Sequence, residues 1–122
     1  MIVAGVAVAG GLGAVLRYLV DHLVQRHVGS DAPLGILVVN LSGSLVLGVL
    51  VGSAAHQGVS PAWLTVAGTG LIGAYTTFST FTFDTVRLAE DGQWKVAAAT
   101  VVTSLALGVG AAAAGLALGS LT

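Results

Sequence analysis

The chain has 122 residues, 56% of them hydrophobic and 7% charged, with a net charge of -1, a mean hydropathy of +0.99 and no cysteine. Soluble domains carry roughly 25% charged residues, so this composition argues against a soluble globular fold. It also excludes a disulfide framework, a thiolate metal site and a basic surface for nucleic acid, and the length allows one domain.

Charges divide the chain into four apolar stretches, residues 1–16, 32–55, 57–83 and 96–122. Each comes near or exceeds the roughly 17–25 residues that cross a hydrocarbon core once helix ends are added. The first needs residues 17–20 to reach full length, which puts Arg17 near its end. It lacks a basic leading stretch and runs into Arg17 and Tyr18 rather than a small-residue cleavage site. It therefore reads as a retained membrane helix, not a signal peptide. The breaks fall at "DHLVQRHVGSDAP", "HQGVSP" and "DTVRLAEDGQW". The expected fold is an all-α membrane protein, with one four-helix transmembrane domain over residues 1–122.

Within the first span Gly5, Ala9, Gly13 and Arg17 recur every four residues. Asn40, Ser44, Gly48 and Gly52 do so in the second, and Thr100, Ser104, Gly108 and Ala112 in the fourth. Residues four apart share a helix face, and small ones let backbones approach. Helix packing accounts for the small residues but not for the polar or charged residue that ends each ridge. Arginine near the bilayer costs about 2.5–3.5 kcal/mol on insertion scales unless it snorkels or is paired. Arg17 is either an interfacial anchor or a functional charge. Asn40 lies deeper, where its amide requires an interhelical partner or an aqueous cavity.

The third span holds "GTGLIGAYTTFSTFTF", with glycines at 68, 70 and 73 and hydroxyls at Thr76, Thr77, Ser79, Thr80 and Thr82. Hydroxyl side chains compete for backbone hydrogen bonds. Irregular backbone at membrane depth survives only when buried in protein or lining a cavity, so a broken helix is expected here. Such a break frees carbonyls suited to a hard cation such as Na⁺ and exposes half-helix N-termini that favour anions. Phe78 and Phe81, three apart, share a face. They either meet lipid and core, or turn their electropositive ring edges to an anion.

The segments "GGLGAVLRY" (residues 10–18), "GILVVNLSGSLVLG" (35–48) and "GLIGAYTTFSTF" (70–81) resemble the Fluc (CrcB) family of fluoride channels, in order and over essentially the whole chain. The resemblance implies antiparallel dimers with two fluoride pores along the subunit interface. It also implies a central Na⁺, structural and not transported, held by the backbone carbonyls of Gly73 and Thr76. Phe78 and Phe81 would line the pores, Asn40 would donate a hydrogen bond beside them, and Thr80 and Ser104 would form a polar track. Arg17 would sit at the vestibule end. Thr100 stands where the family often has tyrosine, and Asp84 where it usually has glutamate. The implied role is passive export across the cell membrane. HF enters neutral and dissociates in a less acidic cytoplasm, and a fluoride conduit lets a potential negative inside expel the anion. No catalytic constellation is expected, since His22, His27 and His56 are expected in loops.

Two other classes compete. Small antiparallel multidrug transporters need a carboxylate within the first helix, whereas Asp21, Asp31, Asp84, Glu90 and Asp91 lie outside or at the edges of the spans. A structural membrane subunit would leave the hydroxyl–aromatic motif without a purpose. The cations Arg17, Arg26, Arg87 and Lys95 all lie at or between the first and second or third and fourth helices. By the positive-inside rule this places those loops in the cytoplasm and favours an oppositely oriented paralogue as partner. A homodimer remains the alternative, because acids in both loops dilute the bias.

Overall fold

The computed structural model describes all 122 residues, Met1–Thr122. Helix α1 (Ile2–Val28) and α2 (Leu34–Gln57) are followed by α3 (Pro61–Leu64), which passes directly into a π-helical segment (Thr65–Ile72). Then come α4 (Gly73–Tyr75), α5 (Ser79–Glu90) and α6 (Trp94–Ser120). Three helices, α1, α2 and α6, are long and apolar enough to cross a membrane. The stretch expected to form the remaining span is instead made of the shorter elements from α3 to α5.

Local chemistry explains the ends. Gly29 (φ 59°) and Gly58 (φ 65°) close α1 and α2 in the left-handed conformation that glycine adopts without a Cβ penalty. Ser60 caps α3 by accepting from the Trp63 N–H at 3.2 Å, with Pro61 in the first turn, where its missing N–H costs nothing. Gln25 ties down the connection between α1 and α2. Its Nε2 donates to the Ser30 and Ala32 carbonyls at 2.6 and 3.0 Å, and its Oε1 accepts from the Gly35 N–H at 3.2 Å.

Only 15 of 122 residues are buried, and large apolar side chains from Val3 to Leu121 are exposed along the helices. Such a surface fits lipid as its solvent, and the helices are held by close approach of small residues rather than by a thick core. Helices α2 and α6 form the most extensive pairing. A Cβ on Gly48 would strike the Ala112 carbonyl and lie 3.0 Å from the Gly115 Cα, and one on Gly119 would lie 2.8 Å from the Ser53 N. Helix α1 packs on the π-helical segment and α4. A Cβ on Gly5 would lie 3.0 Å from Val66, one on Gly70 3.1 Å from Ala9, and one on Gly13 3.0 Å from the Tyr75 N.

The ridge expected on the fourth span is where the structure departs from the sequence. Of that ridge, Ala112 meets α2 and Thr100 and Ser104 line a cavity shared with it, whereas a Cβ on Gly108 would meet nothing within 4 Å; the seam continues through Gly115 and Gly119. At 3.6 residues per turn each four-residue step drifts by about 40° around the helix. The three-residue step from Ala112 to Gly115 keeps the seam on the face that meets α2.

Candidate functional site: the interrupted helix and its contacts with α2

The segment from Thr65 to Ser79 changes winding twice. The Gly73 N–H donates to the Gly68 carbonyl, the five-residue reach of a π-helix, a form that is rare and concentrated at functional positions. Helix α4 then ends at Tyr75, where Thr76 turns to extended backbone (φ -76°, ψ 158°), and helix resumes at Ser79. Between the two helical pieces, ordinary ladder bonds give way to side-chain ones.

Asn40 supplies the main replacement. Its Nδ2 donates to the Thr77 carbonyl at 2.9 Å, and its Oδ1 accepts from the Thr77 N–H at 2.9 Å. A carboxamide offers two protons on Nδ2, so one N–H of Asn40 stays available for another acceptor. The Thr77 hydroxyl accepts from the Thr80 N–H at 3.2 Å and so caps α5. It also donates to Thr80 Oγ1 at 3.2 Å and lies 3.3 Å from Ser79 Oγ. Thr80 therefore receives a hydrogen bond and keeps its own hydroxyl proton. Thr77 is buried, at 8% exposure.

The interruption leaves the carbonyls of Gly73, Ala74, Tyr75 and Thr76 without their helical donors, and for the first and last of these side chains take the donors. In a continuous helix the Gly73 carbonyl would accept from Thr77 and the Thr76 carbonyl from Thr80. Those N–H groups are taken by Asn40 and by the Thr77 hydroxyl. Thr76's own donors are both committed to the Ile72 carbonyl, its N–H at 2.9 Å and its hydroxyl at 3.0 Å. What remains at Gly73 and Thr76 is oxygen, the donor type a hard cation takes, and Gly73 lies on the exposed side of the chain.

The other expected residues divide into those near the interruption and those apart from it. The rings of Phe78 and Phe81 lie 6.0 Å apart at 47°, and Phe78 is 76% exposed. Ser104 lies elsewhere, on a cavity of about 140 Å³ between the start of α2 and the first turns of α6, shared with Leu37, Thr100 and Thr103. Thr100 satisfies its hydroxyl on its own helix, donating to the Val96 carbonyl at 2.8 Å. Arg17 is half-buried, one turn beyond Gly13 on the face of α1 that meets Tyr75.

Three contributors went unnoticed in the sequence. Ser42 Oγ lies 2.9 Å from Tyr75 Oη, and Gly43 leaves the space that the Thr76 methyl fills. Ser42 and Gly43 stand in the "NLSG" that begins with Asn40, so adjacency to a carboxamide within a membrane span is the one available signal.

The chain is similar to known proteins over most of its length. The family model described as CrcB-like protein, Camphor Resistance (CrcB), matches residues 4–116. The chain is 44% identical over 121 residues to fluoride-specific ion channel FluC 1 of Leifsonia xyli subsp. xyli, covering 99% of this chain and 88% of that one. It is 48% identical over 117 residues to FluC 1 of Nocardia farcinica, covering 95% and 79%. To FluC 2 of Mycolicibacterium paratuberculosis it is 47% identical over 117 residues, covering 96% and 93%.

Proposed function

This chain belongs to the CrcB-like family, and from that premise we propose that it is a fluoride-specific channel that passively exports the anion from the cytoplasm across the cell membrane. It is an integral membrane protein, and its family and relatives are ion channels rather than enzymes. The single observation that carries the site reading is the pair of freed carbonyls at Gly73 and Thr76, produced by Asn40 and Thr77 taking the donors those carbonyls would otherwise meet.

In this reading two subunits pair antiparallel, with their interrupted helices meeting at the centre of the dimer. The Gly73 and Thr76 carbonyls hold a structural Na⁺ there. The donor set fits such an ion, being carbonyl oxygens whose helical donors are taken by Asn40 and the Thr77 hydroxyl, and Na⁺ would supply the positive charge that lets converging carbonyl dipoles coexist. The exposure of Gly73 and Phe78 supports a partner on this side.

Fluoride is small and strongly hydrated, so its path must replace water with donors. The spare N–H of Asn40 and the free hydroxyl proton of Thr80 are two such donors, and Ser104 supplies a third farther along. The positive edges of Phe78 and Phe81 favour an anion without a fixed charge that would trap it. Arg17 lies in the middle of α1, which runs on to Val28 rather than ending near Arg17 as expected, and its charge raises the local anion concentration along that face. Ion flow is then passive, down the electrochemical gradient of fluoride.

The partner is a second copy or an oppositely oriented paralogue. The placement of Arg17, Arg26, Arg87 and Lys95 favours the paralogue. Purification of the chain expressed alone decides between them: a dimer that releases fluoride from liposomes establishes the homodimer. A folded chain that conducts only when the paralogue is added establishes the mixed assembly.

A further inference from the structure

We propose that Ser42, Gly43 and Tyr75 are positioning residues: Ser42 and Gly43, together with Asn40, form a socket on α2 that holds Tyr75 and so fixes the direction of the Thr76 carbonyl. The inference rests on the reading of that carbonyl as an ion ligand.

The contacts run in opposite chain directions, Asn40 to Thr77 and Gly43 to Thr76 and Tyr75, so consecutive residues of the interruption are each held by α2. Tyr75 Oη and Ser42 Oγ are 2.9 Å apart. Ser42 Oγ also lies 2.7 Å from the Val38 carbonyl, to which it donates its only proton, so the tyrosine hydroxyl is the donor in the pair. Beside them is a cavity of about 210 Å³ lined by Leu16, Ser42, Gly43, Leu71 and Tyr75. One wall of Tyr75 is thus open, and its position depends on the hydroxyl bond more than on packing.

Gly43 contributes by what it lacks. A Cβ there would collide with the Thr76 Cγ2 and lie 3.3 Å from the Tyr75 ring. The Thr76 methyl lies in that gap while the Thr76 N–H and hydroxyl are both bound to the Ile72 carbonyl. With Tyr75 fixed on one side and Thr77 on the other, the torsion at Thr76 (ψ 158°) has no freedom. That torsion is what aims its carbonyl.

The test uses the full chain in liposomes, alone or with its paralogue as the wild type requires, carrying Tyr75→Phe, Ser42→Ala, both together, Ser42→Thr, or Gly43→Ala. Amide hydrogen exchange is read over residues 73–80 and over α1 and α6, and fluoride efflux is read with Na⁺ and with a bulky organic cation in its place. Losing one hydrogen bond of ordinary strength predicts exchange at residues 76–80 roughly fivefold faster in either single variant. The double variant should be no faster than the singles, α1 and α6 should be unchanged, and Ser42→Thr should restore the wild-type pattern. Efflux should fall and require more Na⁺. Gly43→Ala should exceed the other variants. Unchanged exchange at residues 76–80, or additive effects of Tyr75→Phe and Ser42→Ala, overturns the socket. Wild-type efflux indifferent to Na⁺ would remove the sodium reading and, with it, the socket's proposed purpose, while the exchange pattern still decides whether the contacts hold the backbone.

Discussion

Asn40 and Thr77 close a ring of two hydrogen bonds, each 2.9 Å, in which a side-chain amide stands in for the backbone partner that a continuous helix would have supplied. The two residues are 37 positions apart, so the interruption is held by tertiary structure and not by its own sequence. Asn40→Asp keeps the size but replaces the donor with a charge and leaves the Thr77 carbonyl unpaired. The expected cost is about 1–3 kcal/mol, as for other buried polar groups left unsatisfied, together with loss of fluoride efflux. Thermal unfolding in detergent and efflux from liposomes measure the two effects.

The Thr77 hydroxyl caps α5 in place of an N-cap side chain at Phe78. Thr77→Val preserves shape and removes the cap, which predicts a loss of about 0.5–2 kcal/mol. The two-bond contact with Asn40 involves only the Thr77 backbone and should survive. The thermal midpoint of the variant should therefore fall less than that of Asn40→Asp.

Phe78 is 76% exposed in the single chain, so Phe78→Ile removes little internal packing. If its ring edge meets the anion, efflux should fall by about tenfold, the kinetic equivalent of about 1.4 kcal/mol, while the thermal midpoint stays near that of the wild type. Equal efflux with an unchanged fold would assign the ring to lipid.

The α2–α6 seam makes a prediction about assembly of the fold itself. At Gly115 an added Cβ would strike the Leu45 carbonyl and lie 2.9 Å from the Val49 N, both of them backbone atoms that cannot turn aside. Gly115→Val should separate the helices and abolish recovery of folded protein. Gly108→Ala, where a Cβ meets nothing within 4 Å, should be tolerated. Size-exclusion profiles of the two variants make the comparison.

How much of this was legible follows from the range of each interaction. Composition and the spacing of charges reveal a helical membrane protein. The glycines and hydroxyls between Gly68 and Thr82 mark the segment where regular winding changes, because those side chains act on backbone within a turn or two. In the ridge of Gly5, Ala9, Gly13 and Arg17 the three small residues meet Val66, Gly70 and Tyr75, since close approach needs only the absence of side-chain bulk. In the ridge of Thr100, Ser104, Gly108 and Ala112 only Gly108 finds no neighbour, and nothing in the four-residue spacing distinguishes it. The π-helical winding has no side-chain signature, and neither Asn40's choice of Thr77 nor Ser42's of Tyr75 can be seen without the packing of α2. The need for a partner at Asn40 was visible from its depth alone.

The most direct measurement is fluoride efflux from liposomes containing the purified chain, recorded beside chloride retention. The account predicts rapid fluoride release with chloride held back, either from the chain alone or once an oppositely oriented paralogue is added. A well-folded chain that releases no fluoride in either preparation would contradict it.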